Sequence, residues 1–218
     1  MKILVFSDTH LTEVFDEKKY QFLKRIIKDA DKIIILGDFW DGYQTTFDKF
    51  ISSKWNMLFP LLKQKGNIYC YGNHDQKQFS DNKTSLFSIV QTYQYQIKIE
   101  KTTFIFEHGD RLFKSPDLII DNRKISTILT YISHVILGNL FHRILKKNPL
   151  DFILDKSTKI VQKKIHSIIK KNEIYILGHM HRTTITNEYV NSGFIDYGIG
   201  QYVLIENGKL LLKEESYA

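Results

Sequence analysis

Cysteine and proline are scarce in this chain, with 1 and 3 residues respectively among 218. The lone Cys70 excludes a disulfide within the chain and fits a reducing compartment. So few prolines leave no room for a proline-rich tract, and no other low-complexity segment or internal repeat is present. No apolar run approaches the roughly 20 residues that cross a bilayer. The opening MKILVFSDTH has one lysine before a short apolar run, which Asp8 and His10 end too early for a secretory leader. The expectation is a cytoplasmic protein. What remains is ordinary for a globular chain, 43% hydrophobic and 25% charged, and long enough to bury a sizeable core. One domain over residues 1–218, with an insertion at about 115–172, is the expected organisation.

Acidic residues are lacking in one place. Between Ser115 and Asn172 there are 11 Lys/Arg against 4 Asp/Glu, so the whole net charge of +7 resides in that segment. Such a block can face nucleic acid, an acidic substrate or an anionic membrane touched peripherally. A solvated lysine-rich helix face is the plainer alternative.

Short apolar runs of strand length recur at 2–6, 32–36, 67–71, 102–107, 173–177, 202–205 and 209–212, and residues 92–100 alternate like a half-exposed strand. Helical spacing occupies 17–29 and roughly 46–64. The order β-α-β-α-β followed by further strands predicts an α/β layered sheet. Residues 115–172 differ. A broad helical stripe from Ile125 to Leu145 is broken at Asn148-Pro149, and a second helix carries Ile160, Val161, Ile165, Ile168 and Ile169 on one side. Lys159, Lys163, Lys164, Lys170 and Lys171 occupy much of the rest, so a helical insertion between two sheet strands is expected.

Five strand-like runs end in the same way. SDTH follows the first and brings Asp8 and His10; GDFWD brings Asp38 and Asp41; GNHD brings Asn73, His74 and Asp75. HGD brings His108 and Asp110, and GHMH brings His179 and His181. Of 8 histidines, 5 lie in these clusters. Any one of them alone would be read as a surface or hydrogen-bonded side chain. Packing asks for apolar residues, and five polar clusters at strand ends are the reverse. Ligands bind outside the carboxyl ends of strands in open α/β sheets, so the five ends gather metal-capable groups at one edge. Asp, His and Asn without a Cys ligand suit Mn, Fe, Zn or Co and exclude a thiolate zinc site. The groups are too many for one ion. Two ions sharing a carboxylate would use them, an arrangement that recurs in phosphate ester hydrolysis.

The ordered series D-x-H, G-D-x-x-D, G-N-H-D, H-G-D and G-H-x-H resembles the calcineurin-like metallophosphoesterase superfamily, over residues 8 to 181. That resemblance implies a four-layer α/β/β/α sandwich carrying two divalent metal ions, Mn²⁺ foremost, with Fe or Zn as alternatives. It implies one metal held by Asp8, His10, Asp38 and His181, and a second by Asp38, Asn73, His108 and His179. It places His74 beside the scissile phosphate as a proton donor or charge stabiliser, with Asp75 and Asp41 as supporting groups that orient His74 and the ligands. A metal-bridging hydroxide would attack phosphorus in line. Arg182 either contacts a substrate phosphate or is a surface residue at a loop exit. Between His179 and His181 the backbone must turn, and Gly178 is expected to supply the freedom for it.

Gly42 stands where the protein Ser/Thr phosphatases carry arginine, which argues against that branch. The helical insertion is similar to that of UDP-2,3-diacylglucosamine hydrolases, which cleave a pyrophosphate beneath a cap over acyl chains. One departure is His74, where well-known members of that group have arginine. The expected function is hydrolysis of a phosphodiester or pyrophosphate, with UDP-2,3-diacylglucosamine or a related nucleotide-linked lipid as candidate substrate. A nuclease or nucleotide phosphodiesterase using the same site is the alternative, and a binding scaffold that has lost catalysis ranks last.

Overall fold

The computed structural model describes residues 1–80, 83–113 and 151–218, of which 151–157 by backbone alone. The N-terminal half alternates strand and helix: β1 (Lys2–Phe6), α1 (Glu17–Lys28), β2 (Lys32–Leu36), α2 (Phe47–Ser52), α3 (Phe59–Gln64), β3 (Ile68–Cys70) and β4 (Val90–Thr92). β5 (Gln94–Ile99) and β6 (Thr102–Glu107) follow, then α4 (Asp151–Ile168). The chain ends in β7 (Glu173–Leu177), β8 (Thr183–Ile185), β9 (Tyr189–Ser192), β10 (Ile195–Asp196), β11 (Ile199–Glu206) and β12 (Lys209–Ser216).

Two sheets result. β1, β2, β3 and β4 run parallel side by side, and β11 pairs antiparallel with β1 through Lys2↔Glu206 to Val5↔Val203. β12 pairs with the whole length of β11, and β10 adds two residues to its other side. The second sheet has the order β5-β6-β7-β9-β8, with β6, β7 and β9 parallel. Only Tyr93 separates β4 at the edge of one sheet from β5 at the edge of the other.

Alternation along each strand decides the layers. Ile3, Val5, Ile34, Leu36, Ile68, Cys70 and Val203 of the first sheet meet Phe104, Phe106, Ile176 and Val190 of the second. The opposite faces of the first-sheet strands (Leu4, Phe6, Ile33, Ile35, Tyr69) receive Leu23, Ile26 and Ile27 of α1, Phe50 of α2 and Leu62 of α3. On the outer face of the second sheet, Val161 and Ile165 of α4 cover Ile105, Tyr175, Leu177 and Tyr189. The architecture is the expected helix, sheet, sheet, helix sandwich.

Helix α1 starts where Asp16 accepts the Lys19 amide at 3.1 Å, an N-cap that satisfies an otherwise orphaned donor. The stretch predicted as one helix over 46–64 is broken. Ser53 is extended (ψ 171°), ends α2 and caps a short 3-10 turn through Trp55 N, and Pro60 then sits in the first turn of α3, where its missing N–H costs nothing. The second helix of the insertion is present as α4, with a narrower buried stripe than expected: Ile160 and Ile168 are 37% and 47% exposed. The first helical stripe, 125–145, lies outside the described residues. Cys70 is wholly enclosed, and burial, with Glu107 and Asp75 nearby, pushes its thiol up to about 12. It is no nucleophile near neutral pH.

Phe50 has ring neighbours at 5.8 Å (Phe39), 6.0 Å (Trp40), 5.7 Å (Phe59) and 6.4 Å (Phe87), and has no exposed surface. Phe50→Ala is expected to destabilise the fold by about 3–5 kcal/mol, because the rigid aromatic neighbours cannot close the cavity. Urea unfolding with an unchanged m-value checks it; a loss under about 1 kcal/mol would contradict the packing described.

Candidate metal centre

The parallel pairing brings the carboxyl ends of β1, β2 and β3 to the same edge as those of β6 and β7, and the five polar clusters meet there. After β1 the chain follows the segment after β2: Thr9 N and His10 N both donate to Asp38 O at 2.9 Å, and Leu11 N donates to Phe39 O at 3.0 Å. Asp8, His10, Asp38, His179 and His181 all adopt left-handed backbone (φ 52°, 44°, 51°, 68° and 47°). Among the described residues only nine non-glycine positions do so, and five of them are candidate ligands. Each such residue costs about 1–3 kcal/mol and persists only where its surroundings over-determine it.

Gly178 departs from the expected role. The left-handed residues at the turn are His179 and His181, and Gly178 is needed for close approach instead. A Cβ there would lie 2.5 Å from Ser7 Oγ and 2.8 Å from Asp8 Oδ2. Gly72 is likewise squeezed, its Cβ position 2.7 Å from Asp38 N.

Asp8, His10 and His181 form one group. His181 Nε2 is 3.1 Å from Asp8 Oδ1 and 3.2 Å from His10 Nε2, and His10 Nε2 is 3.9 Å from Asp38 Oδ2. Asp38, His108 and His179 form a second. His108 Nε2 lies 3.2 Å from Asp38 Oδ2 and 2.9 Å from Asn73 Oδ1. Asp38 thus faces both groups.

The donor set fits divalent cations. His108 Nδ1 donates to Leu36 O at 2.6 Å, so Nε2 is the atom turned to the centre, where it meets only oxygens. His179 Nε2 donates to Phe113 O at 3.0 Å, which leaves its Nδ1 for the centre. The buried Oδ1 of Asp8 faces His181 Nε2 at 3.1 Å and His10 Nε2 at 4.0 Å. Carboxylate, amide and imidazole donors that converge in this way suit a divalent cation. Without an ion, the imidazoles themselves balance the carboxylates. Burial alone would push His108 and His181 down, yet Asp38 and Asp8 respectively outweigh it and raise both. Burial likewise pushes Asp38 up, but His108, His74 and His10 hold it well below the usual carboxylate range. Burial together with His108 pushes His179 down to about 4, so it is a neutral ligand near neutral pH.

His74 stands at the rim of the first group, its ring centroid 4.6 Å from that of His10. Its Nδ1 is 3.2 Å from Asp41 Oδ1, an oxygen that also accepts the amides of Tyr43 and Gln44. The Asp75 carboxylate accepts Phe39 N and Gly72 N at 2.7 Å each and clamps the loops after β2 and β3 together. Burial, with Asp38 nearby, pushes Asp75 up to about 7, while those two amide donors favour its ionised form. Arg182 is half-buried and within electrostatic reach of Tyr189 on the outer side of the second sheet.

Several contributors had no signal in a single sequence. Ser7 Oγ donates to Asp8 Oδ2 and lies 2.8 Å from Ser192 Oγ, and Asn191 Nδ2 donates to Gly178 O. The Tyr43 ring lies tilted beside His74 at 4.5 Å, and Phe194 stacks on His181 at 6.1 Å. Small polar residues at the end of a strand look like any turn.

The sequence model of a family described as calcineurin-like phosphoesterase matches residues 1–183. No curated protein matches the chain in sequence. Among solved structures, Yfce, a phosphoesterase from E. coli, is similar at 13% identity and a TM-score of 0.50, with all of both chains covered. An archaeal phosphodiesterase is similar at 15% identity and a TM-score of 0.48, with 99% of each chain covered.

Burial pushes Asp8 up, but His181 and His108 outweigh it and hold the carboxyl at about 2, below its unfolded value near 3.9. A depressed carboxylate stabilises the fold above its unfolded pKa, and that contribution disappears as pH falls through the folded one. Metal-free protein should therefore lose stability between about pH 4 and 2, and Asp8→Asn should flatten this part of the profile. Thermal melts across that range check it; parallel profiles for the two proteins would contradict the assignment.

Proposed function

The chain belongs to the calcineurin-like phosphoesterase family and is a metal-dependent phosphohydrolase, and from that premise we propose that it cleaves a phosphodiester or pyrophosphate bond at a two-ion centre. One observation carries the reading: the Asp38 carboxylate faces His108 of one ligand group and His10 of the other, at 3.2 and 3.9 Å. Asp8, His10, Asp38 and His181 would hold one ion, and Asp38, Asn73, His108 and His179 the other. When bound, such a pair supplies Lewis-acid charge that makes water nucleophilic near neutral pH and neutralises phosphoryl oxygens. Mn²⁺ suits the mixed carboxylate, amide and imidazole set.

The chain's own groups do the rest. Asp41 accepts from His74 Nδ1, which fixes the tautomer and leaves Nε2 as the atom that can act on substrate. Nε2 can give a proton to a leaving oxygen only from the imidazolium form, whose charge Asp41 would balance, and the side chain is only 8% exposed. Asp75 keeps the two neighbouring loops in register. Arg182, near the exit of the GHMH loop, is a candidate phosphate contact.

For the substrate we infer a nucleotide-linked lipid such as UDP-2,3-diacylglucosamine, supported by the basic, apolar insertion at about 115–172, most of which lies outside the described residues. The same segment is the candidate for peripheral contact with an anionic membrane around a cytoplasmic enzyme, all within one domain. Among the described residues no helix is long and apolar enough to cross a membrane.

Two variants and one assay test the proposal. Asp38→Ala should lower Mn²⁺-dependent turnover of a bis-aryl phosphate by about 10³-fold or more, since both ions lose a ligand. His74→Ala should retain both ions yet lose about 10²–10⁴-fold in kcat. Active Asp38→Ala protein would overturn the two-ion reading, and an unaffected His74→Ala would remove His74 from the chemistry. Release of UMP from UDP-2,3-diacylglucosamine supports the lipid substrate; cleavage of the aryl ester alone refutes it.

A further inference from the structure

We propose that Lys19 and Asp196 are positioning residues that lock the Asp8–His10 loop into its ligating shape, an inference that rests on the two-ion reading above. The chain has 31 Lys and Arg, and among the described residues Lys19 is the only one that is buried. Its place is unfavourable on two counts. Taking an ammonium out of water is costly unless it is fully paired. Lys19 also sits in the first turn of α1, where the helix dipole disfavours a cation. A residue that opposes both terms must gain something specific.

The gain is at Thr9. Lys19 Nζ donates to Thr9 O at 2.5 Å and to Asp196 Oδ1 at 3.1 Å. Asp196 accepts Tyr197 N at 2.9 Å through the same oxygen, and Lys19 helps hold its carboxylate down against the rise that burial would cause. Thr9 lies between two left-handed residues, Asp8 and His10. Its amide reaches Asp38 O at 2.9 Å and its hydroxyl reaches Phe39 O at 2.6 Å, so both of its donors bind the segment after β2. Its carbonyl is taken by Lys19. The carbonyl of Asp8 accepts Ile195 N at 3.3 Å, from the same strand β10 that carries Asp196. Helix α1 and β10 therefore grip the back of the loop while its side chains face the centre. A charge-assisted bond to a buried carbonyl is strong enough to offset the backbone strain on either side.

The grip is local. Among the described residues, Lys19 Nζ hydrogen-bonds the loop that supplies Asp8 and His10 and makes no such bond to the loops that supply Asn73, His108 or His179. Without it, Thr9 O and Asp196 each lose a buried partner, the loop relaxes toward ordinary backbone angles, and one ion is lost while the other stays.

Lys19→Met, of similar length and without charge, tests this by Mn²⁺ titration with electron paramagnetic resonance, beside thermal melting of the metal-free protein. Wild type should bind two ions with a spin-coupled spectrum. Lys19→Met should weaken one site by about 10–100-fold, leave the other within about threefold, and show the six-line spectrum of an isolated ion at limiting metal. Lys19→Arg should restore coupling. Asp196→Asn should give a smaller loss at the same site, and decides the matter if Lys19→Met does not fold. Unchanged affinity at both sites overturns the proposal, as does an equal loss at both with a fall in the metal-free melting temperature. If wild type takes only one ion, the two-ion reading fails. The proposal then stands or falls on whether Lys19→Met weakens that ion by tenfold or more.

Discussion

Asp38, buried in the loop after β2, lies where the loops after β1, β3 and β6 meet it. Its backbone oxygen takes two amides from the β1 loop, and one carboxylate oxygen takes the amide of His74 from the β3 loop at 2.9 Å. The other oxygen faces His108 and His10. A negative charge at this depth is tolerable only because imidazoles surround it on several sides, and a cation completes the arrangement. The two sheets are thus tied at their working edge by polar contacts, while apolar packing joins them elsewhere.

That edge is also where the backbone is least relaxed. Five candidate ligand residues occupy left-handed angles, and bonds from neighbouring loops hold the segments that carry them. Ser7 and the amide of His179 converge on Asp8 Oδ2, Asn191 holds Gly178, and Asp75 clips two loops together. Strand β9 supplies no ligand, yet its last two residues pin both the Asp8 loop and the GHMH loop. The precision of a metal site comes from such supports as much as from the ligands.

Much of this was legible in the sequence. The strands at 2–6, 32–36, 102–107 and 173–177 end where the apolar runs end, because buried parallel strands read as continuous hydrophobic stretches. The convergence of the five polar clusters followed from their shared place after strands. Other features have no such signature. β9 is fully buried but half polar, since Asn191 bonds Gly178 and Ser192 bonds Ser7. The break at Ser53 depends on a side chain capping its own backbone, which periodicity does not register. Gly178 could be seen as necessary, yet its reason, the approach of Ser7 and Asp8 from a strand far away in the chain, is tertiary. Lys19 looked like any lysine on an amphipathic helix.

The pairing of β1 with β11 sets an order on assembly. Lys2 lies opposite Glu206, so β1 waits for β11, made far later, before its second edge is filled. Until then β1 has only β2 beside it, and Ile195, whose amide steadies Asp8, has not emerged from the ribosome. His181 and Asn191 arrive late as well. A nascent chain would therefore display Asp8, Asp38 and His108 as a loose, incomplete set that cannot grip a cation firmly, and full ligation would coincide with closure of the sheet. Metal capture in such a protein reports that the chain has been made at least as far as β11.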